Sequence, residues 1–597
     1  MSDSSLTRSA LHAANLNHLW AQLLIDELTR SGVDTFFLAP GSRSTPLTTA
    51  VARHPAAHAI VHFDERGTAF ATLGYGRATG RPAGWVTTSG TAVANGLPAV
   101  VEGATDGVPM LLLTADRPPE LRDTAANQTI DQVKIFGEYV RWQMDLPTPT
   151  TDIAPAMVLS TADQAVHRAT RAPAGPVHLN CMFRKPLEPQ PDGADYTDYT
   201  RALSDWAAQS TPYTRYPATT LASDPASIDT VAAVVQTTEH GLLVAGRLDT
   251  EAERSAVSRL AEQLGWPLIP DVTSGLRFGG AAARRIAFAD QVLTDASFRD
   301  AMQPEAVLHV GGRFVSKRLQ QYVKAARPTH HIVVRPDPAR IDPGHQVTQH
   351  IESDVTAFCA ALAEHVTSPE QTAWTRQWAA ATDAVQDAVE RALLRDDASL
   401  SEPFVAHHIT QRVPDAQALV LASSMPVRDA NRYGATDGAA VPVVANRGAS
   451  GIDGTVATAA GVAAARAAPA TLLIGDLALL HDLNSLALLG EVPVIVVVVN
   501  NHGGGIFHFL PIAKHTDVFE PYFATPHGCS FEHAAACFDL PYKRPETRDD
   551  FERVYRHACE QGMSALIEVQ TDREANRDLH ETLEQQARRA VQSACAD

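Results

Sequence analysis

Residues 492–499, Val-Pro-Val-Ile-Val-Val-Val-Val, constrain this chain more than any other stretch. A β-branched run with no polar alternation has no face to give to water. It reads as a strand buried on both faces, which places it in a parallel sheet covered by helices. Upstream, the short apolar run Thr471-Leu472-Leu473-Ile474 stops at Gly475-Asp476, and a helix-length segment follows, ending near Gly490. Strand, helix and strand in so few residues form a βαβ unit, so the two strands should be parallel neighbours. Ligands of such sheets sit beyond the carboxyl ends of the strands. Those ends carry Asp476 after the first strand, and Asn500, Asn501, His502 and three glycines after the second.

Asp476 and Asn501 stand 501 − 476 = 25 residues apart and offer two hard oxygens to one cation. Mg²⁺ asks for an octahedron of oxygens and takes most of them from phosphates and water. Gly503, Gly504 and Gly505 let the backbone approach a diphosphate closely. Taken singly, Gly475-Asp476 is a turn and 501–505 a flexible loop. Together on one sheet they point to a metal–diphosphate site.

The 597 residues are too many for one core, so several domains are expected. A net charge of −19 argues against nucleic acid as a partner. Six cysteines without CxxC spacing suit a reducing compartment and no zinc site. The first twenty residues lack the apolar core of a signal peptide, and no apolar run is long enough to span a membrane. These features suggest a cytoplasmic chain.

The rest of the sequence keeps alternating. Residues 1–185 read as a doubly wound α/β domain, with strands at 35–39, 59–63, 84–88, 109–115 and 175–180, and helices at 67–77 and 91–102. Thr45 is the expected N-cap of a helix beginning at Pro46, which puts Arg43 near a positive helix end. Residues 186–206 open with a linker rich in Pro, Asp and Gly. Residues 207–375 form an alternating middle domain without a GxGxxG string, and 376–597 a third α/β domain ending in a surface helix over 584–597.

The string Gly475-Asp476-Leu477, followed by Asn500-Asn501-His502-Gly503-Gly504-Gly505-Ile506-Phe507, resembles the diphosphate motif of thiamine-diphosphate enzymes, with Leu477 where Gly is usual. Within that group it looks like the 2-succinyl-5-enolpyruvyl-6-hydroxy-3-cyclohexene-1-carboxylate synthase family. The segments GSRSTPL (41–47), HFDERG (62–67), TADRPPEL (114–121), ANQTIDQ (126–132) and NRGASGIDG (446–454) resemble the same family.

The resemblance implies three doubly wound α/β domains with mainly parallel sheets: pyrimidine-binding, middle and diphosphate-binding. It implies thiamine diphosphate with Mg²⁺ (or Mn²⁺), held by Asp476, Asn501 and Gly503, with Gly475, Leu477, Gly504 and Ile506 around the cofactor. Glu65 would be the catalytic carboxylate at the pyrimidine ring. Ser450, Gly451 and Ile452 would hold the cofactor bent. Arg43, Arg117, Asn127, Gln128, Lys317, Arg318, Ser424, Arg428, Arg447, Ile506 and Phe507 would meet substrate, while His502 and His508 remain structural. Six cations in one cleft ask for polyanionic substrates. The implied reaction decarboxylates 2-oxoglutarate and adds the four-carbon fragment to isochorismate in 1,4 fashion, on the way to menaquinone. The implied assembly is a homodimer or a dimer of dimers (a homotetramer) with sites shared between subunits. Two rival readings are another thiamine-diphosphate carboligase or decarboxylase and a catalytically inactive regulatory relative.

Overall fold

A computed structural model describes residues 13–280, 284–366 and 372–596. Every strand pairing in it is parallel. The first sheet contains β1 (Thr35–Leu38), β2 (His58–Val61), β3 (Gly84–Thr87), β4 (Met110–Asp116), β5 (Trp142–Leu146) and β6 (Pro176–Met182), in the order β2-β1-β3-β4-β6-β5. The second contains β7 (Gly241–Ala245), β8 (Leu268–Pro270), β9 (Ala306–Val310), β10 (His330–Arg335) and β11 (Gln349–Glu352), in the order β11-β10-β9-β7-β8. The third contains β12 (Ala418–Leu421), β13 (Val443–Val444), β14 (Ala470–Gly475), β15 (Val494–Asn500), β16 (Tyr542–Lys543) and β17 (Ala565–Gln570), in the order β13-β12-β14-β15-β17-β16. β15 is buried along its whole length, as its β-branched run requires.

By packing, the chain divides into two units. One comprises Met1–Ala218, Gly448–Ala467 and Asp482–Val492, and the other Thr219–Arg447, Ala468–His481 and Pro493–Asp597. The first unit therefore borrows two pieces from the region expected to form the third domain. The helix Thr455–Arg466 lies along the helix Glu65–Thr79. Glycines permit that approach: a Cβ on Gly461 would meet the Ala71 carbonyl oxygen at 2.0 Å, and one on Gly74 the Thr458 carbonyl oxygen at 2.1 Å. In the second unit, the helix Ala373–Leu393 crosses the expected boundary at 375/376 and packs Trp374 and Trp378 into the core beside β7 and β9.

Several local expectations change. The helix expected over 91–102 is two helices, Thr91–Ala94 and Leu97–Asp106, broken at Asn95-Gly96, where a Cβ on Gly96 would strike the Trp85 ring at 2.3 Å. Ser44, rather than Thr45, takes the N-cap position, and its hydroxyl bonds the Gly41 carbonyl instead of capping. The helix expected to run to Gly490 ends at His481. There Asp482, fully buried, accepts from the Ala457 N–H (3.1 Å) and the Ser485 hydroxyl (2.7 Å), and a 3₁₀ stretch Leu483–Gly490 follows. The C-terminal surface helix is the end of Arg573–Ala594, whose Leu583, Ala587 and Val591 are buried in the core that holds the helix Ala373–Leu393.

Candidate active site

The third sheet turns back on itself between β12 and β14, because the chain leaves β12 toward β13 and then returns to the other side. Loops at such a point diverge and leave a crevice at the carboxyl ends. Gly475 pairs with Val499, so Asp476 and Asn500-Asn501 emerge from neighbouring strands at the same level. Asp476 is buried. Its Oδ1 accepts from the Leu477 N–H (2.6 Å) and its Oδ2 from the Gly503 N–H (2.9 Å), with His527 Nε2 at 3.2 Å. Burial pushes this carboxyl above its ordinary range, against those donors.

Asn501 is buried beside it. Its Nδ2 donates to Glu402 Oε1 (2.9 Å), while its Oδ1 has no hydrogen-bond partner. A buried acceptor without a donor is costly, and a cation held jointly with Asp476 would satisfy it. Gly503 has φ +148°, and a Cβ there would meet the Ala524 carbonyl oxygen at 2.4 Å, so the turn accepts only glycine. A Cβ on Gly475 would meet no atom within 4 Å, which leaves room along the strand end. Two oxygens do not complete an octahedron, and Mg²⁺ ordinarily takes the remainder from phosphate and water. The donor set therefore fits a metal–diphosphate pair.

Around the β12 end, Ser424 adopts φ +73°, a conformation that non-glycine residues hold only under constraint. It precedes the helix Met425–Tyr433, and its carbonyl accepts from Arg428. Burial first, then the charge of Arg447, lowers the pKa of the Arg428 guanidinium, so the two cations lie near each other. Arg447 also reaches the Ser423 hydroxyl at 3.5 Å. Ile506 and Phe507 sit half-buried in the 3₁₀ turn Gly505–Phe509. Lys317 and Arg318 differ from the expectation of two cations free for substrate. Lys317 is exposed, and Arg318 is paired with Asp290 (2.9 Å) and Glu584 (2.8 Å). The sequence carries no local sign of either carboxylate partner.

In the first unit, Arg43 and Arg117 are both buried, and the charge of Arg117 adds to burial in lowering the pKa of Arg43. Arg43 donates to the Phe183 carbonyl (2.7 Å), and its Nε has no partner. Arg117 donates to the Ser89 hydroxyl, and Gln128 Nε2 donates to the Ser89 carbonyl (2.9 Å). Gln128, at φ +58°, and Asn127 are exposed. Two adjacent buried guanidiniums with an unused N–H have the chemistry to receive a carboxylate. Ser89 was missed by sequence reasoning; its only signal is its place at the end of β3, before Gly90 at φ +83°.

Glu65 is the first residue of its helix, behind the N-cap Asp64, which accepts from the Arg66 N–H (3.0 Å). Glu65 Oε2 lies 3.4 Å from Asn95 Nδ2. Val61 at the end of β2, Phe63 in the turn before this helix and Leu97 at the start of the helix Leu97–Asp106 are exposed large apolar side chains. The Ser450–Ile452 loop belongs to this unit too. Its base is held by Glu102, whose carboxylate accepts from the N–H groups of Gly448 (2.7 Å), Ala449 (2.6 Å) and Ser450 (3.3 Å) and pairs with Arg77 (3.0 Å). Ser450 takes φ +61°, and Ile452 is 37% exposed. Glu102 was also missed, since only the tertiary fold brings it under this loop.

The chain is similar to known proteins along most of its length. The chain matches "Thiamine pyrophosphate enzyme, N-terminal TPP binding domain" over residues 20–135, "Middle domain of thiamine pyrophosphate" over 197–421, and "Thiamine pyrophosphate enzyme, C-terminal TPP binding domain" over 437–569. It is 59% identical to the 2-succinyl-5-enolpyruvyl-6-hydroxy-3-cyclohexene-1-carboxylate synthase of Salinibacter ruber, across 98% of this chain and 99% of that protein. It is 54% identical to the synthase of the same name from Rubrobacter xylanophilus, across 95% and 98%. Among solved structures, a candidate thiamin diphosphate-dependent enzyme from Mycobacterium smegmatis shares the fold, with TM-score 0.69 at 18% identity over 94% of this chain and 99% of that one.

Proposed function

The chain belongs to the 2-succinyl-5-enolpyruvyl-6-hydroxy-3-cyclohexene-1-carboxylate synthase family of thiamine-diphosphate enzymes, and from that membership we propose how its own residues carry the reaction. The reaction is loss of CO₂ from 2-oxoglutarate and 1,4-addition of the remaining fragment to isochorismate, a step of menaquinone biosynthesis. Bound thiamine diphosphate supplies the electron sink for the decarboxylation.

Asp476 and Asn501, with Gly503, hold a Mg²⁺ or Mn²⁺ ion, and Gly475, Leu477 and Gly504 flank the diphosphate. Ser450, Gly451, Ile452 and Ile506 position the rings. Glu65 holds the proton at the pyrimidine N1′ and so governs the acid–base state of the ring. Arg43, Arg117, Asn127 and Gln128 in one unit, and Ser424, Arg428, Arg447 and Phe507 in the other, bind substrate carboxylates and hydroxyls. Lys317 contributes charge from its exposed position, and Arg318 acts through its ion pairs with Asp290 and Glu584. Complete sites form between subunits of a dimer or tetramer, a reading supported by the exposed apolar Val61, Phe63 and Leu97 beside Glu65. Six cysteines without a disulfide suit the cytoplasm, and among the described residues no helix is long and apolar enough to cross a membrane.

The observation that carries the assignment is the buried, unpartnered Asn501 Oδ1 at the level of Asp476. Incubation of the protein with thiamine diphosphate, Mg²⁺, 2-oxoglutarate and isochorismate should release CO₂ and consume isochorismate, followed by its absorbance. Consumption of 2-oxoglutarate with isochorismate untouched would point to a different acceptor.

A further inference from the structure

Glu402 is a buried carboxylate to which the reaction assigns no task. It opens the helix Glu402–Arg412, and its Oε1 receives two donors, Asn501 Nδ2 at 2.9 Å and the Thr571 hydroxyl at 3.0 Å. Thr571 is held in turn by its N–H on the Asn500 carbonyl at 3.0 Å, so both donors come from the ends of adjacent strands β15 and β17. An amide has two chemically opposite ends, and its orientation follows from its partners. A carboxylate oxygen has no proton to donate and can only accept, so Glu402 Oε1 faces the NH₂ end of Asn501. That leaves Asn501 Oδ1 pointing elsewhere, buried and without a partner.

We propose that Glu402 is the positioning residue of the metal site. By accepting from Asn501 Nδ2 it locks the amide so that Oδ1, not Nδ2, is presented to the cation. Without it, the side chain is free to turn, and its NH₂ end would repel a divalent ion that its oxygen should ligate. The inference rests on the assignment of Asp476 and Asn501 as metal ligands. It concerns orientation by a hydrogen-bond acceptor, so an uncharged acceptor of the same length should serve.

The experiment is a titration of the apoprotein with Mn²⁺ in the presence of thiamine diphosphate, reading free Mn²⁺ by electron paramagnetic resonance. Loss of a residue that orients a metal ligand costs about 10- to 100-fold in metal affinity, and E402A should fall in that range. E402Q, whose Oε1 can still accept, should stay clear of that roughly 10- to 100-fold loss and close to the parent. E402M, which fills the space without an acceptor, should match E402A and carries the test if E402A does not fold. With Mg²⁺ raised to saturation, kcat of E402M should recover toward the parent value, because the ligands themselves are intact. Parental Mn²⁺ affinity in E402M, or equal weakening in E402Q and E402M, would overturn the proposal. D476A separates the two levels: if it leaves Mn²⁺ binding unchanged, the site assignment itself fails, whatever the Glu402 variants do.

Discussion

Glu65 and the arginine pairs make distinct demands as single residues. Glu65→Gln keeps the size of the side chain and removes its capacity to exchange a proton. The variant should therefore bind thiamine diphosphate normally by calorimetry while H/D exchange at the cofactor C2, followed by NMR, slows by about 10²-fold or more. Parental exchange would remove Glu65 from the catalytic role. Burial, and then the charge of Arg447, lower the pKa of the Arg428 guanidinium, an arrangement that an anion relieves. Arg428→Ala or Arg447→Ala should lower kcat/KM for the dicarboxylate substrates by roughly 10- to 100-fold, the scale of a lost charge-assisted hydrogen bond. Parental kinetics with both substrates in both variants would make them surface groups.

Elements are tied together in the first unit by a buried acid pair. Glu27, on the helix Leu16–Arg30, accepts from Trp206 Nε1 (2.5 Å) and the Tyr213 N–H (2.6 Å), and Asp163, on the helix Ala156–Thr170, accepts from the Ser31 hydroxyl (2.9 Å) and the Thr214 N–H (2.6 Å). Burial, and then the neighbouring Asp163 carboxylate, raise Glu27 to about 8. A carboxyl raised in the folded state binds its proton more tightly there than in the unfolded chain. Its stabilising effect is complete below the unfolded value near 4.5 and is lost as pH rises through about 8. The melting temperature should fall between pH 5 and about 8 in the parent, and E27Q, which has no proton to lose, should flatten that decline. An identical slope in E27Q would assign the pH dependence to other groups.

At the scale of the whole molecule, Glu65 lies in one packed unit and Asp476 and Asn501 in the other. With complete sites shared between subunits of a closed pair, co-expressing Glu65→Gln with Asp476→Ala should restore activity that neither variant has alone. Each mixed dimer then carries one site with both lesions and one with neither. Random pairing makes about half the dimers mixed, so roughly a quarter of the sites should be intact. Mixed dimers, verified by differential tagging, with no more activity than either parent would place Glu65 and the metal ligands of one site on the same chain.

The strand-helix-strand pattern, the double burial of β15 and the arrival of Asp476 and Asn501 at adjacent strand ends were all legible in the amino-acid order. Each follows from short-range rules: side-chain periodicity, β-branching and the handedness of a parallel crossover. Even the capping of the helix Glu251–Leu264 by Thr250 is local, since its partner Glu253 lies three residues away. Breaks in helices were less visible: Gly96, between the helices Thr91–Ala94 and Leu97–Asp106, lies against the Trp85 ring, a contact that its sequence neighbours do not announce. What tertiary structure alone decided is which remote group each polar side chain meets. Glu102 holds the base of a loop beginning 346 residues later, Arg318 pairs with Glu584 at a separation of 266, and Glu402 meets Asn501 at a separation of 99. A buried carboxylate must find donors, but composition and period do not say which. Only the order of strands in a sheet, and the glycines that let two helices touch, bring those donors within reach.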